Sequence, residues 1–154
     1  MSRSEKPEPS RAGPEASREG YGCWSHDKLR NSDTDQQGHV NHAVLATFFE
    51  TGRIGLFTGG EGGPPEPGAI VMVASLLMRF HRELSYPGTV DIGTRLKRIG
   101  RTSFTVEQAI FLGEALIATA EATCVLVDER SRRPRPISPS LRTRLAAGGG
   151  EASP

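Results

Sequence analysis

The chain has 154 residues, which suits one domain, and it carries 19 basic against 18 acidic residues. This near-neutral balance predicts no global field toward nucleic acid or a membrane surface, and the longest apolar run, Ala69–Met78, is too short to span a bilayer. Cys23 and Cys124 form no disulfide framework or metal-ligand spacing, and the N-terminus has no apolar leader, so we expect a cytoplasmic protein.

The two ends of the chain differ in composition from its middle. Residues 1–20 are rich in Pro, Ser, Glu and Arg, and residues 146–154 contain only Ala, Gly, Ser, Pro and one Glu. Segments this polar bury too little apolar surface to fold, so we expect two disordered tails. Residues 21–145 remain, which is enough for one compact core and too little for two.

The first half of this middle region contains the only strong helix signal. A short strand is predicted within Tyr21–Asp33, and turn-forming residues continue to Asn41. In His42–Thr58 the apolar residues recur at every third or fourth position, and Asn41 is a suitable N-cap, so a helix is predicted there. The glycine- and proline-rich segment Gly59–Gly68 then ends the helix and forms a loop.

The second half of the middle region has the pattern of strands. The predicted strands, separated by turn signals, are Ala69–Leu84, Thr89–Ile99, Thr102–Leu112 and Ala115–Asp128. Prolines in Ser131–Pro139 exclude a central strand, and Ser140–Leu145 is predicted to form a short terminal helix. The order predicts an α+β fold in which an antiparallel five-stranded sheet, with three hairpin-like links, wraps around one long helix and leaves edges for a partner.

The densest polar cluster precedes the long helix. It comprises Asp33, Asp35, Gly38, His39, Asn41 and His42. A helix N-terminus has unpaired N–H groups and a partial positive charge that can hold an oxyanion, and a nearby carboxylate can act as nucleophile or general base. The same residues also suit Asx turns and a helix cap, and spacing alone leaves both interpretations open.

Three motifs together resemble a known family. They are the run Asp33-Thr-Asp-Gln-Gln-Gly-His-Val-Asn41 with the aromatic helix and Glu50 and Arg53 that follow, the turn Tyr86-Pro87-Gly88, and the hairpin Arg98–Phe104. They resemble the hotdog-fold acyl-CoA thioesterases, in the 4-hydroxybenzoyl-CoA thioesterase-like branch, from about Arg30 to Asp128. The resemblance implies a hotdog fold, homodimers or homotetramers, and active sites at the subunit interface.

The resemblance also implies residue roles. Asp35 matches the catalytic carboxylate, which attacks the thioester or activates water, and the backbone N–H of His42 matches the donor that polarises the thioester carbonyl. Gly38, His39, Val40 and Asn41 shape the turn between these two groups. The implied reaction converts a fatty-acyl or aroyl thioester to free acid and CoA. It needs no cofactor and no metal, because CoA is part of the substrate.

CoA also implies phosphate contacts. Arg98, Arg101, Thr102 and Ser103 lie on the hairpin that the resemblance assigns to the nucleotide-contacting surface, and guanidinium and hydroxyl groups suit phosphate oxygens. An ordinary solvated arginine surface explains the same pattern. The branch often has tyrosines where this chain has Leu45 and Phe48, so we expect an acyl pocket that is more apolar and lacks those hydroxyls.

Other interpretations of the helix region remain open. The spacing of His39 and His42 also occurs in metal sites, although no third ligand is evident, and a His general base ranks below Asp35. Glu50 and Arg53 are expected to form a local ion pair on the helix. The alternative functions are a hotdog module that binds acyl-CoA or acyl-carrier protein without turnover, and a dehydratase, whose His motif we do not find.

Overall fold

The computed structural model describes residues 17–148. The elements in chain order are β1 (Cys23–Lys28), a 3-10 turn (Asn31–Asp33), α1 (His42–Thr58), β2 (Ala69–Phe80), β3 (Thr89–Ile99), β4 (Ser103–Leu112), β5 (Ala115–Asp128) and α2 (Pro139–Ala147). The strands form one antiparallel five-stranded sheet, which confirms the predicted α+β class. Within residues 17–148, no helix is both long and apolar enough to cross a membrane.

The strand order in the sheet is β1-β3-β4-β5-β2. The prediction of three hairpin-like links is therefore wrong for the first link, because β2 and β3 are not neighbours. The apolar strand β2 pairs with the free edge of the longer strand β5, from Ala69 opposite Asp128 to Phe80 opposite Ala118. The chain then crosses to β3 on the other side of the sheet, and only β3–β4 and β4–β5 are hairpins.

The strand β2 ends four residues earlier than the sequence pattern predicts. The amides of His81 and Arg82 both donate to one carbonyl, that of Ile117, at 2.8 and 3.2 Å. Two successive amides on one acceptor break the alternation of a ladder. Residues 81–88 consequently form an irregular link between β2 and β3, and polar side chains of this link face the region where α1 begins.

The helix α1 packs against one face of the sheet, closest at Gly52. A Cβ atom on Gly52 would lie 2.7 Å from Ile92 Cγ2 and 2.8 Å from Gln108 Nε2, so only glycine permits this approach. Phe48 and Phe49 are buried beside it. The contact fixes the height of α1 above the sheet and therefore the position of its N-terminus.

A buried polar network replaces the ion pair expected between Glu50 and Arg53. Arg53 is 5% exposed and donates to Gln108 Oε1 at 3.1 Å, while Gln108 Nε2 donates to the Phe49 carbonyl and to Thr94 Oγ1, each at 2.9 Å. Burial lowers the pKa of Arg53, with opposing electrostatic contributions from Cys124 and Glu50. The residue that the pattern places in a surface pair thus points into the core.

A second helix closes the other end of the core. The helix α2 is longer at both ends than the predicted segment Ser140–Leu145, and it buries Leu141 and Leu145 against Leu56 and Phe57. Packing therefore extends past the predicted boundary at residue 145. It also extends before residue 21, since Arg18 donates to Asp91 and to the Gly113 carbonyl. The remaining parts of the predicted tails, residues 1–16 and 149–154, lie outside the described residues.

Candidate active site

A tight turn before α1 holds the Asp35 carboxylate. Asp35 Oδ1 accepts from the amides of Gln37 and His39 at 2.8 and 3.2 Å, and the Asp35 amide donates to the His39 carbonyl at 2.8 Å. Gly38 adopts φ 81°, a left-handed conformation that side chains other than glycine rarely accept. The turn orients the carboxylate through Oδ1, and no hydrogen bond from residues 17–148 reaches Oδ2.

Backbone hydrogen bonds dock this turn onto the link between β2 and β3. The Val40 amide donates to the Leu84 carbonyl at 2.7 Å, and His39 forms a β-bridge with Ser85. The Asn41 amide donates to the Asp33 carbonyl at 2.9 Å. Because backbone groups make these contacts, the side chains of the turn stay available for other interactions.

The N-terminus of α1 presents one unbonded amide. Asn41 confirms its predicted role as N-cap, since its Oδ1 accepts from the Ala43 amide at 2.9 Å. Within the described chain, no acceptor engages the His42 N–H. The His42 imidazole stacks on Phe80 with 4.1 Å between ring centroids, which ties the end of β2 to the start of α1. The unbonded amide lies at the N-terminus of the helix, where the helix dipole produces a partial positive charge.

These groups line one cavity of about 340 Å³. Its walls comprise Asp35, Gln37, His39, Val40, His42, Leu45, Phe80, His81, Arg82, Glu83 and Leu84. Polar side chains and the apolar side chains of Val40, Leu45, Phe80 and Leu84 share these walls. Of the two residues on which the expectation of a more apolar pocket rested, Leu45 lines the wall and Phe48 is buried in the core.

The predicted CoA contacts lie at the other end of the same subunit. Phe80, beside His42, is level with Ala118 on β5, whereas Ser103 is level with Val125. At about 3.3 Å per residue, this separation along β5 is about 23 Å. Arg98 and Arg101 are exposed there, and Thr102 and Ser103 are half-buried. The structure thus brings together the six predicted catalytic residues and separates them from the four predicted CoA contacts.

Sequence reasoning did not assign Phe80, Arg82 or Glu83 to the site. The sequence shows only a polar run after the apolar residues of β2. Because β2 ends at Phe80, this run leaves the sheet and lines the cavity with Asp35. Glu83 Oε2 lies 3.2 Å from His39 Nε2. Within residues 17–148, no three His, Cys, Asp or Glu side chains gather as metal ligands.

Neither described cysteine is placed for nucleophilic chemistry. Cys23 and Cys124 are both free thiols and do not line the cavity. Burial raises the pKa of Cys124 to about 11, an effect that Arg53 partly opposes. Because the thiolate is the reactive form, this thiol is inert at neutral pH.

A second cavity of about 190 Å³ lies on the opposite, outer face of the sheet. Two of the three carboxylates in its walls are paired: Glu107 binds Arg95 at 2.9 Å and Glu121 binds Lys97 at 2.6 Å. These two carboxylates are already neutralised by neighbouring cations. The carboxylate at Asp35, with one oxygen unengaged beside a free amide, is better suited to chemistry.

The sequence matches the thioesterase-like superfamily over residues 29–145, and the chain belongs to that family. No curated protein matches the sequence. Among solved structures, the PA5185 protein from Pseudomonas aeruginosa is similar, with 28% identity and a TM-score of 0.78 over 87% of this chain and 96% of that one.

Two further similar solved structures are those of a thioesterase and a probable thioesterase. A thioesterase from Thermus thermophilus, complexed with coenzyme A and Zn, has 26% identity and a TM-score of 0.75 over 88% of this chain and 99% of that one. A probable thioesterase from Bartonella henselae has 28% identity and a TM-score of 0.63 over 75% and 96% of the two chains. The matches confirm the predicted resemblance to hotdog-fold thioesterases.

Proposed function

We propose that this protein is an acyl-CoA thioesterase that hydrolyses a fatty-acyl or aroyl thioester to a free acid and CoA. One observation carries the proposal: the Asp35 carboxylate, with Oδ2 unengaged by the described residues, shares a cavity with the unbonded His42 amide. Coenzyme A in the Thermus thermophilus thioesterase supports the same class of substrate here. Within the family, the motif before α1 favours the 4-hydroxybenzoyl-CoA thioesterase-like branch.

The chemistry follows from what each group offers. The thioester carbonyl oxygen accepts from the His42 N–H, which stabilises the negative charge that develops on that oxygen. Asp35 either attacks the carbonyl carbon through Oδ2 or takes a proton from the attacking water. Gly38, Val40 and Asn41 form the turn that sets the relative positions of the Asp35 carboxylate and the His42 amide. Water is the only co-substrate, so the reaction needs no cofactor and no metal.

The proposed site is completed by a second copy of the chain. The strand β2 is an edge of the sheet and exposes Met72, Val73, Leu77 and Phe80, each 41–56% accessible. Edge strands with apolar side chains favour pairing with another edge. Antiparallel pairing of two β2 edges about a two-fold axis brings the partner's Arg98 and Arg101 hairpin to the level of Asp35 along the strands, which cancels the separation of about 23 Å in that direction.

This arrangement supports a homodimer as the catalytic unit, and a homotetramer as a pair of such dimers. The arginines of one subunit then serve the carboxylate of the other. The two free thiols suit a reducing compartment, so we place the protein in the cytoplasm.

Replacement of the carboxylate tests the function directly. Asp35→Asn keeps the shape of the side chain and should lower kcat for thiol release from acyl-CoA by about a thousandfold. Thiol release is followed with a disulfide reagent over short, long and aroyl-CoA substrates, and the thermal midpoint reports folding. A folded Asp35→Asn protein with near-native kcat contradicts the proposal. Tight acyl-CoA binding without turnover by the native protein instead supports a binding module.

Mixed dimers test the shared site. Asp35→Asn subunits and Arg98→Glu/Arg101→Glu subunits are co-expressed with different tags, and the heterodimer is isolated. One of its two sites then has both native contributions, so activity at low substrate should recover toward one half of the native value if sites are shared between subunits. Sites confined to one subunit predict no recovery.

A further inference from the structure

A histidine and a carboxylate form a pair on the wall of the Asp35 cavity. His39 Nε2 lies 3.2 Å from Glu83 Oε2, and both side chains line the cavity with Asp35. The side chain of His39 is 34% exposed and that of Glu83 is 77% exposed. An ion pair this exposed contributes little to stability, so stability alone gives little reason for it.

The backbone holds this pair beside the reacting carboxylate. His39 is bound twice to Asp35, through its carbonyl at 2.8 Å and its amide at 3.2 Å. Its β-bridge to Ser85 sets His39 next to the segment that carries Glu83. The imidazole therefore has a fixed backbone on one side and a carboxylate partner on the other, as a general base requires.

We propose that His39, oriented by Glu83, is the base that removes a proton from the hydrolytic water. The proposal rests on the thioesterase function and divides its chemistry between two residues. Two amides engage Oδ1 of Asp35, and Oδ2 is available to attack the substrate. Glu83 does not touch the reacting atoms. It is a positioning residue whose carboxylate lies at ion-pair distance from Nε2, which leaves Nδ1 to accept the proton from water.

The steps balance without a further reactant. Asp35 Oδ2 adds to the thioester carbonyl, the C–S bond breaks, and CoA leaves as a thiolate. Water then adds to the carbonyl of the acyl–aspartyl anhydride while His39 takes one proton from the water, and the bond from the acyl carbon to Asp35 breaks. The imidazolium gives its proton to the CoA thiolate, so one water is consumed for each thioester.

The other charged groups at the cavity come from three segments. Asp35 is on the same turn as His39, His42 begins α1, and His81 and Arg82 precede Glu83 on the link after β2. Histidine is the side chain whose charge ordinarily changes between pH 5 and 8. Individual substitutions of His42 and His81 therefore accompany that of His39.

The test is the dependence of kcat on pH from about 5 to 9, measured by CoA release from an acyl-CoA that the native protein hydrolyses. His39→Gln should lower kcat about a hundredfold and remove the fall in rate toward acid pH, with KM within about threefold. Glu83→Gln should lower kcat about tenfold and shift that fall to another pH. His42→Gln and His81→Gln should retain the fall in rate toward acid pH.

A matched control is available on the outer face of the sheet. His26 Nδ1 lies 2.7 Å from Asp91 Oδ1, so it is also an exposed histidine paired with a carboxylate, but it does not line the cavity. His26→Gln should leave both kcat and the pH profile unchanged. Thermal midpoints of all variants separate loss of chemistry from loss of fold.

Two results overturn the inference. A His39→Gln protein that keeps the acid fall in rate and more than half of kcat shows that the base is another group. A Glu83→Gln protein with a native pH profile removes the positioning role, and this variant decides the matter if His39→Gln does not fold. An inactive Asp35→Asn beside a fully active His39→Gln refutes this inference alone, whereas a native protein that hydrolyses no thioester refutes the proposed function.

Discussion

At the end of the sheet where α1 begins, a polar turn docks by backbone hydrogen bonds and leaves a cavity. At the opposite end, α2 seals the core with two leucines, Leu141 and Leu145, that have no exposed surface. Arg144 there donates to the carbonyls of Phe57 and Pro65, at 2.9 and 2.7 Å. The first end keeps one amide and one carboxylate oxygen unengaged by the described residues, whereas the second satisfies the carbonyls near the end of α1.

This contrast separates stability from chemistry. Buried side chains at the α2 end remove apolar surface from water and hold the core together. At the turn end, backbone contacts fix geometry without consuming the side chains, as a catalytic site requires. The comparison predicts that substitutions at the two ends change different measured quantities.

The largest expected effect on stability is at the sealed end. Leu141→Ala leaves a cavity among Leu56, Phe104 and their neighbours and should lower the free energy of unfolding by about 3 kcal/mol. Chemical denaturation measures this loss, and kcat of the folded fraction should stay native. A fall in kcat that exceeds the loss of folded protein would show that packing at the α2 end also affects catalysis, which contradicts this prediction.

A smaller effect is expected at the open end, where Asn41 caps α1. Asn41→Ala removes the acceptor of the Ala43 amide and should lower the free energy of unfolding by about 1 kcal/mol. It should also lower kcat, because the neighbouring His42 amide loses its orientation. Asn41→Asp retains a capping oxygen and is the matched control for stability. Equal kcat in the native and Asn41→Ala proteins would show that the cap does not contribute to catalysis.

The smallest effect is expected on the outer face near the open end, where Asp91 binds Arg18 and His26 at 2.7 Å each. Desolvation raises the pKa of Asp91, but the hydrogen bonds from Arg18 and His26 together outweigh it, so the net pKa is lowered. A lowered folded pKa gives stability above the unfolded pKa, about 3.9 for Asp, which is lost as pH falls through the folded pKa.

Asp91→Asn should therefore cost at most about 1 kcal/mol at neutral pH, since the pair is partly screened by solvent. The difference from the native protein should shrink as pH falls from about 4 toward 2, and thermal midpoints over that range measure it. A difference that grows toward acid pH would show that the sign of the shift is wrong.

Most of the local structure was predictable from sequence. The bounds of α1, β3 and β5 agree with the patterns, because their apolar periodicity and turn residues are clear. The motif around Asp35 predicted the residues that meet at the turn end. Pairing between strands was less predictable: β2 reads as the first strand of a meander, but the free edge of β5 is a better partner.

Single residues show the same limit. A pattern of i and i+3 places Glu50 beside Arg53, but the close approach at Gly52 brings Gln108 within reach of the guanidinium, so Arg53 turns inward. Glu83 belongs to no recognised sequence motif, and its position beside His39 depends on where β2 ends. Both outcomes depend on contacts between residues far apart in the chain.

The sequence by itself determined the α+β class, the position of α1 and the cluster of Asp35 and His42 before it, because these depend on local periodicity, turns and caps. Only the tertiary structure decided the strand order, the set of residues that line the cavity and the separation of the Arg98 hairpin from Asp35 within one subunit. The physical reason is that strand pairing and burial are set by competition among distant partners, which no local pattern encodes.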